Sequence, residues 1–409
     1  NPDLEKSRPL CLLEVTSKAY WAIISARVAK IWAENNLLQQ QQFGFLKGKS
    51  VLDPLLLATL TAEQQYGENS PLYMLLQDIS KAYDSVARYI GKEMSLRRLG
   101  MPDELVDTFL QMDVGNKCAV VTAYGYSDEI LGETEGLFEF ERGWCQGASE
   151  SPLGWIAFYD ILLAMQNDEE RLREEIVRCR GEPLVGAAYA DDAAWMATGP
   201  RGLELRLNVS ALFFDFAEIQ FNPLKSHVLA SRWTADKETG ESIMHDVEAD
   251  DWEPQLYDID VLFAGGQLNV LPRSSSPDHI LPPSAVTSTV KMVRLAEGAR
   301  YLGVCFSPRL DHNATEEQIR AIVDEMAWAI ETSRLTGGAA GFMADEVLWA
   351  RVGFRLRFER MAPERVRSIE WAIRRVFLRC NKLAEGTNTD IVYGDARLGG
   401  LGWAAWKDR

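Results

Sequence analysis

Hydrophobic periodicity predicts a helix and then a buried strand in the early part of the chain. Residues 17–34 carry apolar side chains at helical spacing, and Gln and Asn cluster directly after them, so we predict one helix ending near Asn36. The run PLYMLLQDI at 71–79 is short, apolar and bounded by turn formers, which is typical of a strand buried on both faces. Asp78 is therefore predicted to lie at the end of a core strand.

Two further patterns predict a buried helix and a hairpin. Residues 143–151 are rich in small and polar side chains, and the apolar stretch 152–165 begins with proline, which indicates a loop leading into a buried helix. Apolar segments at 184–188 and 193–197 flank Tyr189-Ala190-Asp191-Asp192. We therefore predict a hairpin that carries both carboxylates at or beside its tight turn.

The C-terminal half contains an irregular acidic segment and then a series of helical patterns. Residues 232–285 contain acidic clusters, Gly-Gly, Ser-Ser-Ser and Pro-Pro with little periodicity, so we interpret them as a partly flexible insertion. Thr315, followed by two glutamates, predicts a helix that closes at Gly337-Gly338, and helical patterns follow near 344–360 and 364–382. The last part of the chain is predicted to be helical.

Composition limits the class of protein. A length of 409 residues favours two or three lobes, and 47% hydrophobic with 25% charged residues is typical of a soluble globular protein. No apolar run reaches the roughly 18 residues of a membrane span. Six scattered cysteines and four histidines give neither zinc-site spacing nor a disulfide framework, so we expect a reducing compartment, nucleus or cytoplasm. Because the chain starts at Asn1 without a leader, we expect it to be part of a longer protein.

Charge is unevenly distributed. The net charge of −17 argues, for the chain as a whole, against binding nucleic-acid phosphates. Residues 232–260 hold ten acidic and two basic residues, whereas residues 341–382 hold ten basic and five acidic ones. We interpret the basic helices as a surface that can hold a nucleic-acid duplex through its backbone, with a solvated structural face as the alternative.

Seven short blocks follow one another in an order that carries a family resemblance. They are Arg8-Pro9-Leu10-Cys11-Leu12-Leu13, Gln42–Phe45 with Gly48-Lys49-Ser50, Asp78–Val86, Gln146-Gly147 with Ser151-Pro152-Leu153, Tyr189–Asp192, Asn222–Ser226 and Tyr301–Val304. In this order the chain resembles the catalytic core of reverse transcriptases, most closely those of non-LTR, LINE-like retrotransposons. Gly399-Gly400-Leu401-Gly402 resembles a motif common in these polymerases.

The resemblance implies a fold and a division into regions. The fold would be an α+β right-hand polymerase with an antiparallel palm sheet and a helical thumb. The implied regions are fingers at 1–70, palm at 71–230 with a return of the fingers at about 100–140, the acidic insertion at 231–290, primer grip at 291–310, and thumb with C-terminal segment at 311–409.

The resemblance also assigns roles to acidic residues. Asp78 and Asp191 would bind two Mg²⁺ ions, for which Mn²⁺ could substitute, and Asp192 would support them or hold the primer terminus. The backbone carbonyl of Ile79 would complete a coordination sphere. Carboxylate oxygens are the ligands that hard Mg²⁺ prefers, and a two-metal site activates the attacking hydroxyl and stabilises the leaving group.

Further roles follow from the same resemblance. Tyr83 lies where reverse transcriptases place a ring against the sugar of the incoming nucleotide, so that a 2′-hydroxyl would clash; a core aromatic is the alternative. Lys225 would protonate the departing pyrophosphate, and a solvated loop lysine is the alternative. The remaining implied contacts are triphosphate binding by Arg8 and Lys49, nucleotide and template contacts by Gln146 and Gly147, and the primer grip at Tyr301, Leu302 and Gly303.

The function expected from these blocks is RNA-directed DNA polymerisation, in which dNTPs extend a DNA primer on an RNA template. Cys145 and Leu46 stand where the family usually has arginine, which leaves room for a domesticated, non-catalytic relative that binds nucleic acid or a protein partner. An RNA-dependent RNA polymerase is a further alternative. The Tyr-Ala-Asp-Asp tetrapeptide and Tyr83 favour the DNA polymerase over it.

Overall fold

The computed structural model describes most of the chain. The described residues are 12–87, 89–111, 117–122, 125–131, 133–139, 142–167, 175–236, 239–247, 255–257, 259–264, 267–272, 286–310, 313–359, 361–398, 400–403 and 405–406. The chain divides between Leu295 and Ala296 into two compact units.

The first unit contains both helices and strands. Its helices are α1 (Val15–Glu34), α2 (Leu52–Gly67), α3 (Ala82–Ser85), α4 (Ser95–Arg98), α5 (Asp103–Gln111), α6 (Ser127–Leu131), α7 (Glu133–Gly136), α8 (Ser151–Gln166) and α9 (Pro200–Phe216), with a π-helical turn at Tyr89–Met94. Its strands are β1 (Leu72–Gln77), β2 (Ile79–Ser80), β3 (Lys117–Ala119), β4 (Val121–Thr122), β5 (Gly125–Tyr126), β6 (Leu137–Glu139), β7 (Val177–Cys179), β8 (Glu182–Leu184), β9 (Gly186–Tyr189), β10 (Asp192–Ala197), β11 (Gln220–Phe221), β12 (His227–Ala235), β13 (Ser242–Asp246), β14 (Gln255–Tyr257), β15 (Ile259–Ala264), β16 (Gln267–Pro272), β17 (Val286–Thr289) and β18 (Lys291–Met292).

One antiparallel sheet organises this unit. Its strands lie in the order β13-β12-β1-β10-β9, and β18 adds to β12 in parallel. All six residues of β1 are buried, because this strand lies in the middle of the sheet. Helix α8 is apolar almost all round, and Trp155 and Phe158 on it pack in the same core as Phe213 of α9. Asp78 and the Asp191-Asp192 pair lie where β1 and β10 meet the turns at their ends.

The second unit is mostly helical. It opens with a hairpin of β19 (Ala299–Tyr301) and β20 (Val304–Phe306). Its helices are α10 (Asn313–Thr332), α11 (Gly337–Phe342), α12 (Trp349–Glu359), α13 (Pro363–Cys380) and α14 (Thr389–Tyr393), with a π-helical turn at Met343–Leu348 and a 3₁₀ turn at Ala396–Leu398. A separate core gathers Ile319, Val352, Ile373 and Trp403.

The structure confirms the predicted α+β class with an antiparallel sheet and a helical C-terminal part. The predicted helix at 17–34, strand at 71–79, helix at 152–165 and hairpin at 184–197 are all present. None of the helices in the ranges given above is both long and apolar enough to cross a lipid bilayer.

The glycine pair at 337–338 was predicted to close a helix, and this prediction is wrong. Helix α10 already ends at Thr332, and Gly337 begins α11. The Thr336 side chain accepts a hydrogen bond from the Ala339 N–H at 3.4 Å, which caps the new helix. A Cβ at position 337 would lie 2.1 Å from the Asn381 side chain, so close packing explains the first glycine of the pair.

The region expected to be an irregular insertion contains regular structure in its described part. Strand β12 reaches Ala235 and pairs with β13, and both continue the central sheet. Beyond them, β14 pairs with β17 and β15 pairs with β16. Local periodicity misses these strands because short ladders between charged segments have no sustained apolar alternation.

A buried carboxylate connects three parts of the first unit. Asp160 on α8 is fully buried and accepts a hydrogen bond from the Gln39 N–H at 2.6 Å. Its other oxygen pairs with the Arg98 guanidinium, also at 2.6 Å. A buried charge needs such partners, because its desolvation would otherwise be costly.

Replacing Arg98 by Met is expected to lower the free energy of unfolding by about 2 kcal/mol, since a buried carboxylate then loses a charged partner. The Arg98 side chain is 34% exposed, so water already stabilises part of its charge and the expected loss is smaller than for a fully buried pair. Arg97→Met is the matched control, because the Arg97 partners Glu93 and Asp107 are partly or largely exposed, and ion pairs in contact with water contribute below about 1 kcal/mol. Urea unfolding of both variants measures the difference, and equal midpoints would contradict the assignment.

Candidate active site

Asp78 directly follows the central strand β1. The residue before it, Gln77, is buried and donates a hydrogen bond to the Tyr159 hydroxyl at 3.0 Å. The Trp195 indole N–H donates to the Gln77 side-chain carbonyl at 2.8 Å. Both ends of this amide are therefore satisfied inside the core, and the strand end that carries Asp78 is held in place.

The register of the sheet brings the acidic residues to one edge. Gln77 pairs with Ala193 across β1 and β10, and the same register extended by one position sets Asp78 opposite Asp192. Asp78 and Asp192 therefore lie at the same end of two neighbouring strands. Two aspartates that are far apart in sequence thus become neighbours.

Asp191 lies in the hairpin turn. Tyr189 pairs with Asp192, so Ala190 and Asp191 are the two central residues of the turn. Ala190 has a φ of 60°, in the left-handed region that residues other than glycine seldom adopt. Such a conformation persists only where surrounding contacts hold it, and it is common at functional sites.

A loop that carries Lys225 is anchored to the backbone of Asp78. The Asp78 N–H donates to the Ser226 hydroxyl at 3.0 Å, and the Asn222 N–H donates to the Asp78 carbonyl at 3.2 Å. Lys225 itself is exposed between these two anchors. Lys225, which is predicted to donate a proton, therefore directly precedes Ser226, whose hydroxyl accepts the hydrogen bond from the Asp78 N–H.

Tyr83 is packed between other aromatic rings. It lies in α3 and stacks on Trp155 with ring centroids 4.9 Å apart, while Phe45 meets its edge at 6.5 Å. Burial, and then the Asp191 carboxylate, raise the pKa of the Tyr83 phenol far above its ordinary value. The hydroxyl is buried with no hydrogen-bond partner among the residues that the structure describes. Tyr83 therefore presents a neutral ring that is packed against Trp155.

The loop with Gln146 is held against α3. The Trp144 N–H donates to the Tyr83 carbonyl at 2.7 Å, and the Gln146 side-chain amide donates to both oxygens of Asp84 at 3.0 Å. A Cβ at Gly143 would lie 2.5 Å from the Tyr83 carbonyl oxygen, so only glycine fits there. Gly147 lies further along the loop and is exposed, with a φ of 99°.

The other predicted contact residues belong to other segments of the chain. Lys49 is exposed, and its ammonium lies 4.9 Å from the centroid of the Phe43 ring. Arg8 lies outside the described residues. Tyr301, Leu302 and Gly303 form the hairpin tip between β19 and β20 in the second unit, where Leu302 and Gly303 both have positive φ, as a type I′ turn requires.

The donor set fits a divalent cation in chemistry. Asp78, Asp191 and Asp192 offer hard carboxylate oxygens at one edge of the sheet. Among the described residues, however, no group of three or more His, Cys, Asp or Glu side chains converges closely enough to hold an ion.

Several residues around this edge were not singled out by sequence reasoning as parts of the site. Asp84 binds Gln146, Trp155 supports Tyr83, and Ser226 binds the backbone of Asp78. Asp84 and Ser226 lie inside blocks that were recognised, but their partners are distant in sequence. Only a three-dimensional arrangement could reveal these pairings.

Comparison with known proteins gives a family match. The family model described as reverse transcriptase (RNA-dependent DNA polymerase) matches residues 1–305. A curated relative, the retrovirus-related Pol polyprotein from type-1 retrotransposable element R2 of Nasonia vitripennis, is 25% identical over 224 residues. The aligned part is 54% of this chain and 20% of that polyprotein, so the chain spans a small share of the relative.

Solved telomerase structures show a weaker likeness. Apo telomerase of Candida tropicalis, truncated from its C-terminal domain, is 12% identical with a TM-score of 0.39, covering 56% of this chain and 45% of that chain. Telomerase of Candida albicans, in complex with a TWJ fragment of telomeric RNA, is 9% identical with a TM-score of 0.38. The match covers 90% of this chain and 52% of that chain. Likeness at this level supports no functional inference.

Proposed function

Because the chain belongs to the reverse transcriptase (RNA-dependent DNA polymerase) family, we propose that it is an active polymerase that adds dNTPs to a primer 3′-hydroxyl on an RNA template. The observation that carries this proposal is the sheet register, which pairs Gln77, the residue before Asp78, with Ala193, the residue after Asp192, beside the turn that contains Asp191. We further propose an origin in a non-LTR retrotransposon, in line with the relative from element R2.

We propose that Asp78 and Asp191, together with the carbonyl of Ile79, hold two Mg²⁺ ions, and that Asp192 supports them. When bound, the ions supply a more acidic primer hydroxyl and charge neutralisation at the pyrophosphate. The family match and the register support this assignment. Mn²⁺ is the expected substitute, because it accepts the same oxygen donors.

The protein's own side chains have separate tasks in this proposal. Tyr83, whose ring is stacked on Trp155, excludes a 2′-hydroxyl on the incoming nucleotide. Gln146, held by Asp84, lies against the base pair being formed. Lys225 donates a proton to the pyrophosphate from its exposed loop, where its ammonium also attracts the polyphosphate.

The second unit supplies the proposed contacts to the template and primer backbones. Some of its arginines are engaged internally, since Arg379 pairs with Glu331 and Arg365 pairs with Glu316. Arg351, Arg367 and Arg375 are exposed and form no ion pair within the described ranges of this unit. Exposed guanidinium groups of this kind suit phosphate contacts without base specificity.

Primer extension tests the proposal directly. With an RNA template, a DNA primer, Mg²⁺ and dNTPs, we expect product that disappears when EDTA removes the metal and returns with Mg²⁺ or Mn²⁺. The physical reason is that carboxylates without an ion cannot activate the hydroxyl. Product length on a sequencing gel is the measurement.

The other outcomes distinguish the alternatives. Incorporation of rNTPs in preference to dNTPs would identify an RNA polymerase. Binding of the template–primer without incorporation under Mg²⁺ and Mn²⁺ would support a domesticated, non-catalytic relative and contradict the proposal.

A further inference from the structure

A run of four glutamines, Gln39–Gln42, links α1 to the loop that contains Lys49. Three of these glutamines make specific contacts. The Asn167 side-chain amide donates to the Gln39 side-chain carbonyl at 2.7 Å and to that of Gln41 at 3.0 Å. Together with the Gln39 N–H bond to Asp160, these contacts fasten the run to α8.

The end of the run is bonded to the hairpin that carries the acidic turn. The Ala188 N–H donates to the Gln41 carbonyl at 2.9 Å, and the Phe43 N–H donates to the Ala188 carbonyl at 2.8 Å. Gln42 thus forms a parallel bridge with Ala188 of β9. The segment behaves as a short extra strand beside the hairpin.

Gln42 has a further contact that reaches the turn itself. It is 1% exposed, and its side-chain carbonyl accepts hydrogen bonds from the Gly44 N–H at 2.8 Å and the Ala190 N–H at 3.3 Å. A carbonyl oxygen has two lone pairs, so both bonds can form together. Ala190 is the residue with the left-handed backbone, directly before Asp191.

Gly44 packs closely against the backbone of Ala190. A Cβ at this position would lie 2.3 Å from the Ala190 nitrogen, so any side chain would push the turn away. The turn is therefore held by a buried amide and by close backbone packing at once. Its conformation depends on a segment that is nearly 150 residues earlier in the chain.

We propose that Gln42 is a positioning residue for the polymerase reaction. By accepting the Ala190 N–H it holds the left-handed turn and so orients the Asp191 carboxylate toward the metal site. This inference rests on the proposed function. Gln42 contacts neither the ions nor the substrates in this proposal and acts only through the turn.

The test compares Gln42→Met with Gln40→Met. Methionine keeps the length of the side chain but removes the acceptor, and Gln40 is exposed in the same run. For Gln42→Met we expect the Mg²⁺ concentration at half-maximal primer extension to rise and kcat to fall by about 10- to 100-fold, as is usual for residues that orient metal ligands. KM for dNTP should change less than about 2-fold, because the nucleotide contacts remain.

A second readout does not depend on activity. Hydrogen exchange of the Ala190 amide should become at least about 10-fold faster in Gln42→Met than in Gln40→Met, since its acceptor is lost. If Gln42→Met fails to fold, Gln42→Asn replaces it, because its shorter amide keeps a polar group in place but cannot reach Ala190. The higher Mg²⁺ requirement with a lower kcat, and the faster exchange of the Ala190 amide, are then expected for Gln42→Asn.

The outcomes separate this inference from the proposed function. An active wild type with an unchanged Mg²⁺ requirement and unchanged Ala190 exchange in the Gln42 variant would overturn the role of Gln42. A loss of activity that is accompanied only by a lower melting temperature would also overturn it, since that describes a structural residue. An inactive wild type with faster Ala190 exchange in the variant would contradict the proposed function and leave the hold on the turn supported.

Discussion

Replacing Asp191 by Asn is expected to lower primer extension by about 10³-fold or more at saturating Mg²⁺, since losing a metal ligand removes several kcal/mol of transition-state stabilisation. Asparagine keeps the size of the side chain, so the hairpin turn should form as before. Asp78→Asn should have an effect of similar size. Steady-state kinetics on an RNA template gives the ratio of wild-type to variant activity.

Two comparisons make this result specific. Asp192→Asn should lose less activity, because Asp192 is exposed and is assigned a supporting role. Asp215→Asn changes an exposed carboxylate at the end of α9 and should leave extension within about 2-fold of wild type, as surface substitutions usually do. Wild-type activity in Asp191→Asn would show that the hairpin turn with Asp191 is not part of the catalytic site.

Shortening Tyr83 to Val is expected to raise the use of rNTPs relative to dNTPs by about 10- to 100-fold, because the ring that would exclude the 2′-hydroxyl is gone. The ring is stacked on Trp155, and burial and then Asp191 raise the pKa of its hydroxyl. Ratios of kcat/KM for matched rNTP and dNTP pairs give the discrimination. Unchanged ratios would assign Tyr83 to the core alone.

Tyr83→Phe is the matched control for this experiment. It keeps the ring stacked on Trp155 and removes only the hydroxyl, which has no partner within the described part of the chain. Discrimination against rNTPs should therefore persist, and stability should hold, because no hydrogen bond is lost. A loss of discrimination in this variant would show that the hydroxyl, and not the bulk of the ring, selects the sugar.

Much of the local structure was predictable because its causes are local. The buried strand before Asp78 and the hairpin around Asp191 follow from apolar runs bounded by turn residues. The family could be inferred because the blocks occur in a fixed order along the chain, and the family match confirms this inference. The implied roles of single residues, and the implied boundaries of fingers, palm and thumb, stay predictions.

Other features could not be read from local patterns. The helix start at Gly337 depends on Thr336 and on packing against Asn381, which is distant in sequence. The strands within 242–289 pair in ladders whose residues show little alternation. In both cases partners elsewhere in the chain outweigh the local preference.

The amino-acid sequence alone established which chemical groups the chain contains, the strand and hairpin that carry its three aspartates, and its likeness to one polymerase family. The folded chain was needed to show what touches these groups. Gln42 meets Ala190 across 148 positions of sequence, and Gln146 meets Asp84 across 62. Hydrogen bonds over such separations form only when packing of the whole unit brings their backbones together, and no local pattern records them.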